Sequence, residues 1–387
     1  VLSAEETRAA ESILAAHWGA SVTVRAAEKI WDRQHIVRLR TWVDDRTAVL
    51  KRGREENFGD RARGFDAELS ALELLNAMET AIAPRLYGAD ASAGILIMED
   101  LGPGSSLADS LLGSDRDRDR AAADLVSYAR AMATMHAWSV SRSREYAEIR
   151  IRHAPSAEAR MDPDWIAFLA KGKAPFLAVS AQLGLPTAGV EDEIDSLGAL
   201  MAGSGYVGLV HSDLCPDNTH IVNGNCRLID FETSGWGPMA LDVAYLLAPF
   251  PSCWCFASIP AQAARPALLA YRDQVTNAGI DLGADWEVAL AAALAVSVIA
   301  RGRGLGRVLE SDPEWGTTTT RPRLLTWLDS FIKAASTTGA LPRLRSLAEG
   351  MHEQLRLRWP DTVVPDYPAL ACPGATLARL PNRYRSY

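Results

Sequence analysis

The stretch LVHSDLCPDN at residues 209–218 sets the tightest limit on what this chain can fold into. Leu209 and Val210 read as the end of a buried strand, and a His, two Asp, an Asn and a Pro follow at once. Pro216 removes a ladder donor while Asp and Asn favour turns, so the strand stops and hands polar groups to a loop. The next segment, HIVNGNCRLIDF, reads as a hairpin turning at Asn223-Gly224 and ending in Asp230. A short hairpin of this kind brings Asn218 and Asp230 together.

Hard divalent cations prefer carboxylate and amide oxygens, and Mg²⁺ takes only one or two protein ligands beside substrate phosphates and water. Asn218 and Asp230 suit that task, which leaves Asp213, five residues before Asn218, free to take a proton from a hydroxyl. Phosphoryl transfer asks the protein mainly to position groups and neutralise charge. The spacing H-x-D-x-x-x-x-N followed by a strand ending D-F matches the catalytic and metal loops of kinases. His211 reads as a loop-packing residue hydrogen-bonded to backbone, since the chemistry already has its base.

Such a site needs a Lys on an upstream strand and a Glu on the helix after it. Residues 22–51 alternate and are β-branched, with VDD as a turn, which predicts an antiparallel meander ending at Lys51 in TAVLK. Phe65, Leu69, Leu72, Leu75 and Met78 recur at helical spacing, so 65–78 predict a helix with Glu68 in its first turn and Glu73 as the fallback partner. RLYGADASAGILIMEDLG reads as a second hairpin. Beyond it the pattern is helical, apart from the strands at 206–210 and 220–231. The fold class is therefore α+β and bilobal: a small β-rich lobe over 1–101, and a large, mainly helical lobe over 102–387.

In AVLKR, FDAELSALELL, LIMEDLG, YARAMATMHA, LVHSDLCPDN and LIDFE the sequence resembles the aminoglycoside phosphotransferase family, with its protein-kinase-like fold, from about residue 22 to about 250. The resemblance implies ATP (or GTP) between the lobes, its base on backbone groups of the linker at Glu99 and Leu101, with Met98 lining the pocket. It also implies Asp213 as the base, Asn218 and Asp230 as Mg²⁺ ligands, and Asp242 as a buried brace of the catalytic loop. Two departures stand out. No GxGxxG occurs near 26–36, where a loop over the phosphates is expected, and Glu232 stands where protein kinases carry the Gly of D-F-G. The dozen residues from Asp230 to Asp242 leave no room for a long activation segment, which favours a small hydroxylated acceptor over a protein.

A net charge of -8 argues against nucleic acid and membrane surfaces as partners. The first 20 residues lack the charge pattern of a signal peptide, and VALAAALAVSVIA at 288–300, followed by RGRG, is too short for a membrane span and reads as a buried helix. A cytoplasmic location is expected. The five Cys predict neither a disulfide framework nor a metal site, with Cys253 and Cys255 read as core. For a cationic acceptor, Asp162, Asp164, Glu191, Asp192, Glu193 and Asp195 are candidate partners, and Trp165, Trp236, Trp254, Trp286 and Trp315 are candidate stacking surfaces. The Pro-rich end, 360–387, predicts an extended arm packed on the surface. The expected reaction is Mg²⁺-dependent transfer of the γ-phosphoryl group to a hydroxyl of a small molecule, an aminoglycoside-like or other antibiotic. The alternatives are a choline, homoserine or sugar kinase, and a non-catalytic binding module.

Overall fold

A computed structural model describes residues 2–30, 35–53, 61–113, 118–153, 165–203, 205–250 and 253–371. Helix α1 (Ala4–Trp18) starts where its cap chemistry dictates: the Ser3 hydroxyl accepts from Glu6 N–H while the Glu6 carboxylate accepts from Ser3 N–H. The expected meander follows as β1 (Val24–Lys29), β2 (Ile36–Thr41) and β3 (Thr47–Arg52), then α2 (Arg61–Leu75), β4 (Leu86–Asp90) and β5 (Ile95–Glu99). The five strands form one antiparallel sheet in the order β1-β2-β3-β5-β4.

Strand alternation sorts the two faces of this sheet. Val37, Leu39, Ala48, Leu50, Ile95 and Ile97 bury one face against Ala10 and Leu14 of α1. Leu96 and Met98 point the other way and join Leu69 and Leu72 of α2 in the main core. Lys51, next to Leu50 in β3, is carried to that second face, where it is only 5% exposed.

The larger lobe comprises α3 (Leu107–Leu112), α4 (Arg118–Ser139), α5 (Ser143–His153), α6 (Trp165–Gln182), α7 (Val190–Ala202), β6 (Val207–Val210), β7 (Thr219–Val222), β8 (Asn225–Leu228), β9 (Gly235–Pro238), α8 (Ala240–Leu247), α9 (Ala261–Asn277), α10 (Asp285–Ala300), α11 (Gly302–Glu310), β10 (Glu314–Trp315), β11 (Thr318–Thr319), α12 (Thr320–Thr338) and α13 (Pro342–Arg358). The Asn223-Gly224 hairpin joins β7 to β8, with both turn residues at positive φ. Helix α10 is buried almost all round, as its composition anticipated. Among the described residues no single helix is long and apolar enough to cross a membrane.

Three expectations are corrected. Strand β9, GWGP, pairs with β6 although its Gly and Pro hide it from any strand pattern. The C-terminal arm runs over the surface at 360–366 but then turns into the core: Tyr367 is fully buried and bonds backbone to backbone with Ser258, and Ala369 N–H reaches Leu111 O. Residues 372–387 lie outside the described residues. Third, Cys215 and Cys253 form a disulfide, whereas Cys226 and Cys255 are buried free thiols. A separation of 38 residues across two loops gives the sequence no spacing signal, and Cys255 draws attention away from the true partner.

The α6 crossing over the α10–α11 junction depends on two glycines. A Cβ on Gly172 would stand 1.9 Å from Ile299 O, and one on Gly302 would stand 2.3 Å from Gly172 O. Both obstacles are backbone, which cannot rotate away. Gly172→Ala should therefore push α6 off α10 and lower stability by about 1–3 kcal/mol, read as a fall in the urea midpoint; an unchanged midpoint would show that the crossing is loose.

Candidate active site

The cleft between sheet and helical lobe is built around one ammonium group. Lys51 Nζ donates to Glu68 Oε2 at 2.5 Å and to Asp230 Oδ1, with Glu232 Oε2 at 3.9 Å. Glu68 therefore takes the place the sequence offered to either of two residues. Glu73 instead pairs with Arg152 and His153 on the outer side of α2. Burial opposes charge on Lys51, yet Asp230 and Glu68 hold its pKa above the ordinary value. Burial also pushes the Glu68 carboxyl up to about 7, the attraction of Lys51 offsetting only part of it.

Asp213 follows Ser212, which sits at φ 65, so the catalytic loop turns sharply out of β6. Its carboxyl is pushed up to about 7, first by burial and then by the charges of Asp230, Asp217 and Glu232. The Asn218 amide nitrogen donates to Asp213 O at 2.8 Å and to Asp213 Oδ2 at 3.2 Å. That commits the nitrogen and leaves the Asn218 carbonyl oxygen for another ligand. In the D-F-E segment the positive φ, 69°, falls on Asp230 itself, a residue type that tolerates it, and not on Glu232.

The loop is held from behind by Asp242 at the start of α8. It is fully buried and accepts from His211 N–H at 2.7 Å and Ser212 N–H at 2.9 Å, while His136 Nε2 lies 3.1 Å from it and Tyr271 OH lies 2.9 Å from His136 Nδ1. His211 faces inward, its Nε2 donating to Ile229 O at 3.0 Å, and burial lowers its pKa. The Cys215–Cys253 bridge ties the same loop to the segment after α8, and Cys215 Sγ packs 3.2 Å from Asp213 Oδ1. Asp217 accepts from the Trp254 indole at 2.8 Å.

Two cavities meet here. The smaller, about 390 Å³, lies under the sheet and is lined by Lys51, Glu68, Met98, Glu99 and Leu101 as well as by Lys29 and Ile30. The larger, about 800 Å³, lies among the helices and is lined by Asp213, Glu232, Tyr245 and residues of α6, α10 and α11. Asp217, Asn218 and Asp230 line both. The Glu99 carboxylate is engaged by Arg227 at 2.8 Å, so the linker offers a ligand its backbone there. Arg38 grips Asp100 with two hydrogen bonds, 2.6 and 3.0 Å, fastening the linker to β2 and holding the Asp100 carboxyl low despite its burial.

The donor set fits Mg²⁺. Asn218 and Asp230 supply hard oxygens, and Glu68, Asp230 and Glu232 surround the ammonium of Lys51. Among the described residues no group of three or more His, Cys, Asp or Glu forms a self-sufficient metal cage.

The carboxylates proposed to meet a cationic acceptor are elsewhere. Glu193 accepts from the Arg343 and Leu344 backbone at the start of α13, and Asp195 and Glu191 pair with Lys173 on the surface. Asp192 is exposed and absent from the cavity lining, and Asp162 and Asp164 lie outside the described residues. Of the tryptophans, Trp165, Trp254 and Trp315 line the larger cavity, whereas Trp286 and Trp236 are core. Sequence reasoning missed the Arg38–Asp100 clamp and the two arginines of RGRG, Arg301 and Arg303, which line that cavity.

A family model described as the phosphotransferase enzyme family (APH) matches residues 29–275. No curated protein sequence matches significantly. Among solved structures, a choline/ethanolamine kinase family protein from Mesorhizobium loti is 14% identical, with 88% of this chain and 98% of that one covered and a TM-score of 0.45. Choline kinase from Cryptosporidium parvum Iowa II is 13% identical over 86% and 90%, with a TM-score of 0.44. A spectinomycin phosphotransferase solved with ADP and spectinomycin is 12% identical over 90% and 98%, with a TM-score of 0.40.

A raised carboxyl pKa has a sign that can be tested. Asp213 titrates near 7 in the fold and near 3.8 when free, so its contribution to stability is full below about 3.8 and lost as pH rises through about 7. Asp213→Asn should thus raise the metal-free Tm relative to the parent, by a margin that grows from pH 4 to pH 7 and levels off above. A margin independent of pH would mean that Asp213 is not strained when charged.

Proposed function

The chain belongs to the phosphotransferase enzyme family, and on that premise we propose that it moves the γ-phosphoryl group of ATP or GTP to a hydroxyl of a small molecule, an antibiotic or related natural product. The observation that carries this reading is the junction of the two cavities. Lys51 lines only the smaller and Asp213 only the larger, while Asn218 and Asp230 stand where they meet. A donor and an acceptor bound one on each side would face each other there.

The nucleotide occupies the smaller cavity, its base against the linker at Glu99 and Leu101 beside Met98, and its phosphates near Lys51. Glu68 and the sheet fix Lys51, so the charge it offers is already in place before the phosphates arrive. Asn218 and Asp230 hold Mg²⁺, which neutralises charge on the phosphates. Asp213 orients the acceptor hydroxyl and accepts its proton, helped by a pKa near 7 that suits a base at neutral pH. Asp242 acts one step back: by fixing the His211 and Ser212 amides it keeps Asp213 at the attack position. The 800 Å³ cavity supports an acceptor of natural-product size rather than choline, homoserine or a single sugar.

Two variants separate the roles. Asp213→Asn should cut turnover by about 10²–10⁴-fold with nucleotide affinity kept. Asp230→Ala should instead abolish metal-dependent nucleotide binding. Both are read with ATP and GTP plus Mg²⁺ against a panel of antibiotics, choline, homoserine and sugars, with products followed by mass. Full activity in both variants would overturn the assignment.

A further inference from the structure

The larger cavity has two ends of opposite charge. At the junction with the nucleotide cavity stand the carboxylates of Asp213, Asp217, Asp230 and Glu232, which the phosphoryl-transfer chemistry uses. Toward the helices, the charged groups of the described lining are Arg301 and Arg303 alone, from the α10–α11 junction. Neither makes an ion pair or a hydrogen bond among the described residues. The Arg301 Nε is enclosed and unpartnered, and its guanidinium sits 4.4 Å from the centre of the Trp327 ring, which backs it. Arg303 lies over Phe168 at 5.9 Å.

An enclosed guanidinium without an acceptor is costly, because it stays charged at any working pH and its donors have lost water. Two nearby cations are already engaged, Lys51 by Glu68 and Asp230, and Lys173 by Asp195. The glycine crossing of Gly172 and Gly302 places Arg301 at this wall, and Gly304 beside it leaves open space where a side chain would stand. Much of the remaining wall is aromatic, from Trp165, Phe168, Trp254 and the half-exposed Trp315. A polycation would find no carboxylate at the arginine end, and those at the other end already have roles.

We propose that the acceptor is a hydroxylated molecule with an apolar or aromatic body and a carboxylate, the carboxylate bound by Arg301 with Arg303 at its side while the hydroxyl lies at Asp213. This rests on the phosphotransferase reading of the site and names its substrate class. A carboxylate matches the planar guanidinium fork with two parallel hydrogen bonds, which an amide or an amine cannot form.

Three probes of one shape test the charge: indole-3-lactate, its carboxamide indole-3-lactamide, and the amine 1-amino-3-(indol-3-yl)propan-2-ol. Each carries an indole and a hydroxyl, and they differ in being anionic, neutral and cationic. Their dissociation constants are measured by calorimetry on the whole protein with Mg²⁺ and ADP, for the parent, Arg301→Gln and Arg301→Lys. Indole-3-lactate should bind the parent on the order of 10- to 100-fold more tightly than either analogue. Arg301→Gln should erase that preference and Arg301→Lys should restore part of it, with ADP affinity as the control for folding. A preference for the amide or the amine, no binding of any probe, or a lactate preference that survives Arg301→Gln would overturn the proposal. If the parent binds Mg²⁺ and ADP while the charge preference fails, this inference alone falls. If the parent binds no nucleotide, the reading beneath it falls.

Discussion

One buried ammonium holds the cleft together. Lys51 leaves the sheet on the face opposite Leu50, meets Glu68 of α2 and reaches Asp230 of the larger lobe. Three elements far apart in sequence are joined at a point where water is excluded and unpaired charge is expensive. The same contact defines the chemistry, because a single cation faces more carboxylates than it can balance. Glu68 and Asp213 respond with carboxyl groups pushed up to about 7. Asn218 and Asp230 would hold a divalent cation, whose charge would offset part of that imbalance.

The polar loop that carries Asp213 is made rigid by what lies behind it. Its first two amides end on Asp242, which a buried His136–Tyr271 pair supports from α4 and α9. Its middle is bonded covalently at Cys215, and its end is sealed by the Asn218 amide. A base that must meet a hydroxyl within hydrogen-bond reach gains from such support, since small displacements are costly in rate. The acceptor side is shaped by a different device, the backbone contact of α6 with the α10–α11 junction through Gly172 and Gly302.

How much was legible in the sequence follows from how local each signal is. The alternation of β2 and β3, the Asn223-Gly224 turn and the polar residues after Val210 are set by neighbours a few positions away, and each stands in the structure where the pattern placed it. Ordered spacing carried Lys51, Glu68, Asp213, Asn218 and Asp230 to one cleft. The rest depends on tertiary partners. GWGP becomes a strand only because β6 offers it an edge, and Cys215 finds Cys253 only once two loops are folded together. The acids of EDEID, residues 191–195, read more readily as a solvated helix face than as ligands, and packing of α7 against α13 accords with the face. Tyr367 looks like part of a loose tail until Ser258 supplies a backbone partner and the core supplies room.

On this reading the carboxylates around Lys51 leave the phosphate site short of positive charge, so nucleotide binding depends on a divalent cation. The most direct measurement is a calorimetric titration of ATP into the whole protein at pH 7, with Mg²⁺ and again with a chelator. Tight binding with Mg²⁺ and none detectable without it is the result this account predicts. Equal affinity in both titrations would contradict it, because the carboxylates around Lys51 would then not be repelling the phosphates.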